Sequence, residues 1–447
     1  MRRRARSERR GDARAGPGPG SDVRGAGATR PVADTKHVFI SVCEESADLH
    51  AASLVRAARE RLPQCAWHGL TGPRLRALGV ETVYDFAAHA AMLSGILGVI
   101  GRARQALRAI EASWNRRRPD LVVLLDSPEL HLRLATKARR LGIPVLYYIA
   151  PQTWAARAYR NRRIVRDIDR LACILPFEEA YFRAAAERRP GTAFRATYVG
   201  HPLFEALRQA APAPGTLEML RDRAAGRKIV ALLPGSRRHV IRTMLPLQLE
   251  VLRRLRAAGR DVYAAISCVS ADRRELIRDL LAAALPAFPP PAQPTATAPP
   301  DDGLADVGVD IVVDDNASLL TAADLVLVAS GTAALHVAHY RKPMVVMYDA
   351  GRLLYWPHRL LGRFVIRAPH LSLVNILAQA RVVPEFMPFI RDVAPLAAVA
   401  GQLLTDETWR QIMVRQIDEV VRPLEASDAS VRVCELAAEL LGLQRPA

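Results

Sequence analysis

A chain of 447 residues is too long for a single hydrophobic core and points to two domains of ordinary size. Half of its residues are hydrophobic and 24% are charged, which excludes a low-complexity or fibrous chain, and no run reaches the roughly 18 apolar residues of a spanning helix. The net charge of +18 favours anionic partners (nucleic acid, anionic lipid headgroups, phosphorylated substrates), although an arginine bias accounts for part of it, the only lysines being Lys36, Lys137, Lys228 and Lys342.

The first 36 residues hold ten basic side chains against four acidic ones, so +12 of the net charge belongs to residues 37–447. The opening 1–35 stretch is rich in Arg, Gly and Pro and lacks the apolar core of a signal peptide. It reads as a disordered basic tail, or as a start codon set too early. Cys43, Cys65, Cys173, Cys268 and Cys434 show neither a close pair nor metal-ligand spacing, which fits a reducing cytoplasm and no structural metal.

From Lys36 short apolar runs alternate with amphipathic segments. "HVFISV" opens the series and runs into the polar loop "CEESAD". The stretch "AAHAAMLSGILGVIG" (87–101) is followed at once by "RARQALR". An apolar segment joined to a basic one suits a helix lying in a membrane interface, and equally a core helix with a solvated Arg face. "LVVLL" then leads into Asp126. A carboxylate at the edge of an apolar layer is costly to desolvate and needs a partner or a task, though Asp-Ser-Pro is also ordinary turn chemistry. "VLYYIA", "LACIL" and "ATYV" complete a first series, and "GHPLFEALRQAAPAPG" is a joint. A second series follows in "KIVALLP", "DVYAAIS", "VDIVV", "DLVLVAS" and "PMVVMY".

Near-continuous aliphatic strands separated by helical spacing imply parallel sheets covered on both faces. We therefore expect an α/β protein of two doubly wound Rossmann-like domains facing a cleft. The first spans 36–205 and the second 206–424, while 425–447 is a helix returning to the first domain. The Pro-rich stretch 285–303 is a surface insertion without chemistry.

Two stretches have the form strand, tight small-residue turn, helix. "VALLPGSRRHVI" carries Gly235, Ser236 and Arg237, and "DLVLVASGTAALHVA" carries Ser330, Gly331 and Thr332. Helix N-termini with free N–H groups suit phosphate, and an Arg fork adds donors that match its oxygens. Two such turns at parallel strand ends would converge on one diphosphate. Neither a G-x-G-x-x-G after a strand nor a G-x-x-x-x-G-K-[ST] is present, which disfavours an NAD enzyme or a P-loop NTPase. "DID" (Asp167 to Asp169) lies in an Arg-rich segment whose charges can neutralise both acids, so a metal clamp is disfavoured.

Taken in order, "LLDSPELHLRLATKARRLGIPVLYYIAPQTWAARAYRNRRI", "LACILPFEEAYF", "YVGHPL", "ALLPGSR", "SGTAALHVAHYRKPMVVMY" and "LSLVNILA" resemble the lipid-A-disaccharide synthase family, family-19 glycosyltransferases of the GT-B fold. The resemblance runs from about His37 to Pro388. It implies an inverting hexosyl transfer from UDP-2,3-diacylglucosamine to 2,3-diacylglucosamine 1-phosphate, forming a β-1,6 link without cofactor or metal. It also implies work at the inner face of the cytoplasmic membrane, with no nucleic-acid partner; a homo-oligomer is compatible with it. Asp126 matches the family's essential acid, Arg237 the Arg of its G-S-R turn and Asn375 the Asn of its S-L-P-N. Glu44, Ser46 and Asp48 match three polar positions of the first loop. Leu97, Val99 and Ile100 fall on the patch by which the family touches membrane.

Departures are Cys43 and Ala47 in place of glycines, Pro388 in place of a Gln, and His336 where the family carries the Glu that holds ribose hydroxyls. A neutral His still donates or accepts one hydrogen bond there. Two other readings stay open on the residues alone: a UDP-sugar 2-epimerase of the same architecture, and a non-catalytic basic module for membrane or nucleic acid.

Overall fold

The computed structural model describes residues 35–85, 96–284, 308–350 and 370–444, without the side chains of 96–103. The basic tail and the insertion at 285–303 lie outside the described residues.

The first lobe is a seven-stranded sheet of β1 (Lys36–Ser41), β2 (Cys65–Thr71), β3 (Glu81–Asp85), β4 (Leu121–Leu125), β5 (Val145–Tyr148), β6 (Arg170–Cys173) and β7 (Arg195–Tyr198), in the order β3-β2-β1-β4-β5-β6-β7. The second is a six-stranded sheet of β8 (Lys228–Leu233), β9 (Val262–Cys268), β10 (Val309–Val313), β11 (Leu325–Ala329), β12 (Met344–Met347) and β13 (Glu385–Phe386), in the order β10-β9-β8-β11-β12-β13. Neighbouring strands are parallel throughout, for example Val38 opposite Leu121 and Leu325 opposite Val230. Both sheets are doubly wound, as the aliphatic runs require.

β4 shows why its run is unbroken. Leu121, Val123 and Leu125 enter one core and Val122 and Leu124 enter the other, all five fully buried. Alternate side chains thus meet helices on opposite faces. β2 and β3 were not evident from their residues. β2 carries His68 and Gly69 in mid-strand, and β3 is a half-exposed edge. Gly69 is required there, because a Cβ would come within 1.8 Å of the Ile40 carbonyl oxygen.

The chain closes with two helices, Glu407–Glu425 and Ala429–Leu440. The first is tied to the second lobe by Arg341, which bridges Asp418 (3.1 Å) and Glu425 (2.6 Å). The second lies on the helix Glu45–Arg61 of the first lobe, with Cys434 Sγ facing the Leu54 carbonyl and Arg170 pairing with Glu439 at 2.6 Å. The returning chain packs on the joint. A Cβ on Gly200, whose φ is +99°, would meet Ser427 Cβ at 2.3 Å. Arg208 clamps the same crossing through the Glu425 carbonyl (2.6 Å) and Asp428 (2.7 Å).

Candidate active site

In a doubly wound sheet the crevice lies beyond the carboxyl ends of the strands where the order reverses. The reversals here fall between β1 and β4 in one sheet and between β8 and β11 in the other. The four segments leaving these strands, loop and first helical turn, carry Glu44 and Ser46, Asp126, Gly235 to Arg237, and Ser330 to Thr332. All of these residues line one cavity of about 800 Å³ between the lobes.

Asp126 sits at its wall in the left-handed region (φ +54°), and so does Ser127 (φ +46°). Two successive non-glycine residues in that region carry strain of order 1–3 kcal/mol each, which the surroundings must over-determine. They do. The Asp126 amide donates to the Tyr148 carbonyl (3.2 Å), and its carbonyl accepts from the Tyr147 hydroxyl and from His131 Nδ1 (2.7 Å). His131 is fully buried, and burial pushes it down to about 4, so it is neutral. Because the carbonyl can only accept, Nδ1 carries the proton. Nε2 then accepts from the Ser41 hydroxyl at 2.8 Å. This clamp fixes the backbone of Asp126 and leaves its carboxylate to the cleft. Burial, reinforced by Glu44 and Glu129, holds that carboxyl above the usual range, while the Ser127 amide and Arg237 pull the other way.

Across the cleft Arg237 reaches Glu44 through a 2.9 Å ion pair that joins the lobes. Both ends are exposed (66% and 45%), so the pair contributes little to stability and a phosphate can displace it. Gly235 turns at φ +102°, and a Cβ there would lie 3.0 Å from Val240 Cγ1 and 3.8 Å from Ala329 Cβ. The two small-residue turns are therefore neighbours. Gly331 (φ +143°) faces open space. Its amide and that of Thr332 meet no acceptor among the described residues, and the helix Thr332–His339 begins behind them. Ser330 lines the cavity, but its amide is committed to the Met347 carbonyl (3.0 Å).

Two other residues singled out in the sequence, Asn375 and Asp48, turn their polar groups to the protein. Asn375 is fully buried with its amide group turned to the protein: Nδ2 donates to the Val383 carbonyl and Glu385, and Oδ1 accepts from the Val382 and Val383 amides. It braces the loop behind the cleft, where an unpaired amide would cost more than a ligand contact returns. Asp48 is buried too, accepting from the amides of Gly72 (3.1 Å), Arg74 (2.8 Å) and Leu75 (3.2 Å), and so caps a short neighbouring helix. Leu97, Val99 and Ile100 fall within the helix Ile96–Arg116, but their side chains lie outside the described residues.

His336 lines the cavity with Nε2 buried and without a partner among the described residues, and its pKa is held down to about 4 by burial and by His339. Cys43 packs on His131 (Sγ to Nε2 3.6 Å), and burial pushes its thiol up to about 12. Asp167 pairs with Arg166 (2.7 Å) and Asp169 with Arg139 (3.0 Å), which accounts for both acids of "DID". No cluster of three or more His, Cys, Asp or Glu among the described residues is disposed to hold a metal ion.

Sequence reasoning missed His201, Ser267 and Asn316, which also line the cavity. His201 Nδ1 accepts from the Leu203 amide (3.2 Å), so Nε2 carries a proton that no group among the described residues accepts. Burial, with His50 beside it, pushes this imidazole down to about 3. Ser267 donates to Asn316 at 2.6 Å. Each is a single polar residue, near a strand end, at a helix start or in the joint, without spacing to mark it.

The model of the family described as lipid-A-disaccharide synthetase matches residues 38–289 and 304–436. The lipid-A-disaccharide synthase of Anaeromyxobacter dehalogenans (strain 2CP-C) is 34% identical over 417 residues, covering 92% of this chain and 98% of that protein. That of Myxococcus xanthus is 33% identical over 409 residues, covering 90% and 97%. The chain belongs to the lipid-A-disaccharide synthase family. It is thus an enzyme, a glycosyltransferase, and its two lobes are the GT-B architecture. Among solved structures, S. aureus MnaA with UDP superposes with a TM-score of 0.61 at 11% identity, over 92% of this chain and 99% of that one. The glycosyltransferase of kitacinnamycin superposes at 0.55 with 15% identity, over 91% and 98%. At such identities the likeness speaks for the fold alone.

Proposed function

We propose that this enzyme transfers the diacylglucosaminyl unit of UDP-2,3-diacylglucosamine to the 6-hydroxyl of 2,3-diacylglucosamine 1-phosphate, forming a β-1,6-linked disaccharide and releasing UDP. One observation carries the reading: a strained, clamped carboxylate and two adjacent open turns, from opposite lobes, line a single cavity. In the mechanism the Asp126 carboxylate accepts the proton of the 6-hydroxyl as that oxygen attacks the anomeric carbon from the face opposite the departing diphosphate, inverting the centre. Negative charge grows on the leaving UDP. Arg237, released from Glu44, and the amides of Gly331 and Thr332 stabilise that charge. His336 gives the ribose one neutral hydrogen bond in place of a carboxylate. Closure of the lobes about the joint excludes water and limits donor hydrolysis.

The acyl chains of both substrates favour action at the inner face of the cytoplasmic membrane, and no helix among the described residues is long and apolar enough to cross one. The test offers both lipids to the purified protein and follows products by mass spectrometry. UDP in equal amount to disaccharide is expected. Epimerisation of UDP-N-acetylglucosamine without an acceptor, or UDP release without disaccharide, would replace the reading.

A further inference from the structure

The cleft shares a wall with a second cavity of about 1010 Å³ on the first lobe, and Trp154, Ala155 and Ala156 border both. Its apolar lining is Ala158, Tyr159, Tyr181, Ala184 and Ala185, of which Ala158, Tyr159 and Ala184 are exposed. Tyr159 leaves 74% of its surface in water. Polar groups around it are turned into the wall. Thr153 donates to Asn161 (2.5 Å), Asn161 to the Tyr181 hydroxyl (2.8 Å), and Trp154 Nε1 to the buried Glu178 (3.1 Å). Phe177 meets the Trp154 ring edge-on at 5.1 Å, so the indole between the two cavities is packed on one side.

The rim is basic. Arg157 is held by Glu129 at 2.8 Å, but Arg162, Arg188 and Arg189 have no carboxylate partner among the described residues. Three uncompensated guanidiniums over an apolar floor match an amphipathic anion. A plain acyl chain would leave the arginines unanswered, and a plain phosphosugar would leave the floor wet.

We propose that this second cavity is the acceptor subsite, where an acyl chain lies on the Tyr159–Tyr181 floor and the sugar phosphate meets Arg162, Arg188 and Arg189. The sugar passes Trp154 so that its 6-hydroxyl, at the end remote from the phosphate, enters the cleft toward Asp126. This rests on the reading of the cleft as a glycosyl-transfer site.

The test measures equilibrium binding of 2,3-diacylglucosamine 1-phosphate without donor, so that its outcome is independent of turnover. The full-length protein is compared with Arg162→Gln/Arg188→Gln and with Ala185→Trp, each checked for an unchanged melting temperature. The double variant is expected to weaken binding about tenfold or more, since each lost charge-assisted bond removes a substantial fraction of affinity. It is expected to bind the phosphate-free lipid as the unaltered protein does. Ala185→Trp is expected to weaken a long-chain ligand and spare one with acetyl groups. In turnover the acceptor KM rises, while the donor KM and kcat hold. Unchanged acceptor affinity in the double variant overturns the proposal, as does equal loss with and without the phosphate. Loss confined to sedimentation with phosphatidylglycerol vesicles, with acceptor binding intact, also overturns it and makes the rim a headgroup site. Failure of the transfer reading shows separately, as absence of disaccharide with the unaltered enzyme.

Discussion

The ends of β4 and β11 are both places where a parallel strand runs into a helix, yet they are built by opposite means. At β4 the turn is made by Asp126 and Ser127, side-chain-bearing residues held at positive φ by Tyr147, His131 and Ser41. At β11, as at β8, it is made by glycine, with open space or a neighbouring turn where a Cβ would stand. A single proton acceptor must be aimed, so the first lobe stores strain and surrounds it with buried hydrogen bonds. A diphosphate is gripped by backbone, so the second lobe removes side chains and leaves N–H groups bare.

The strongest way to break this contrast is Asp126→Asn, which keeps the turn and removes the base. Turnover is expected to fall by ~10²–10⁴-fold with an unchanged melting temperature. Near-normal rates in the purified variant would end the assigned role. Arg237→Ala should cost about 10²–10³-fold in kcat, the scale of losing one donor to a developing charge, and weaken UDP binding measured calorimetrically. His131→Leu tests the clamp without touching the cleft. It is expected to lower kcat about tenfold with KM unchanged, because misplacing a reacting group is costly, and His131→Asn should recover part of the loss. Equal kcat in the leucine variant would show that the strained turn holds itself.

Two smaller effects involve protons. Asp126 is raised chiefly by burial and further by Glu44, and it must be ionised to act, so the rate climbs as pH rises through its pKa. Glu44→Gln removes a neighbouring negative charge and should move that acidic limb to lower pH, read from kcat/KM profiles. Separately, burial holds His50, His68, His131 and His336 down to about 4, against an ordinary 6.5. Between those values the unfolded chain binds more protons than the folded one. Stability is therefore complete above pH 6.5 and is lost as pH falls toward 4. Melting temperatures by circular dichroism should decline across that window; a flat profile would show these imidazoles protonated in the fold.

The sheets were legible because a strand buried on both faces must read as an aliphatic run, and β4, β8, β11 and β12 do. β3, half in water at an edge, has no such mark. In the site, residues whose role depends on the main chain they interrupt were legible: Asp126 after its run, and Gly235 and Gly331 in their turns. Direction was not. Asp48 and Asn375 have the same chemistry whether they face a ligand or a loop, and only the folded chain shows both turned inward to amides. His131 was in view five positions after Asp126. Nothing in one dimension distinguishes a buried clamp from an ordinary helical residue.

The helix Ala429–Leu440, laid on Glu45–Arg61, also bears on how the molecule is made. On the ribosome the first lobe emerges long before the segment that roofs it, so the nascent half waits with an apolar helix face uncovered while the whole second lobe is translated. Its completion waits until Ala429–Leu440 has followed. The same arrangement means that a protease nicking the 209–213 connection leaves two fragments still fastened by the crossing at Ser427, whereas removing the chain beyond Glu425 would strip the roof from the half that carries Asp126.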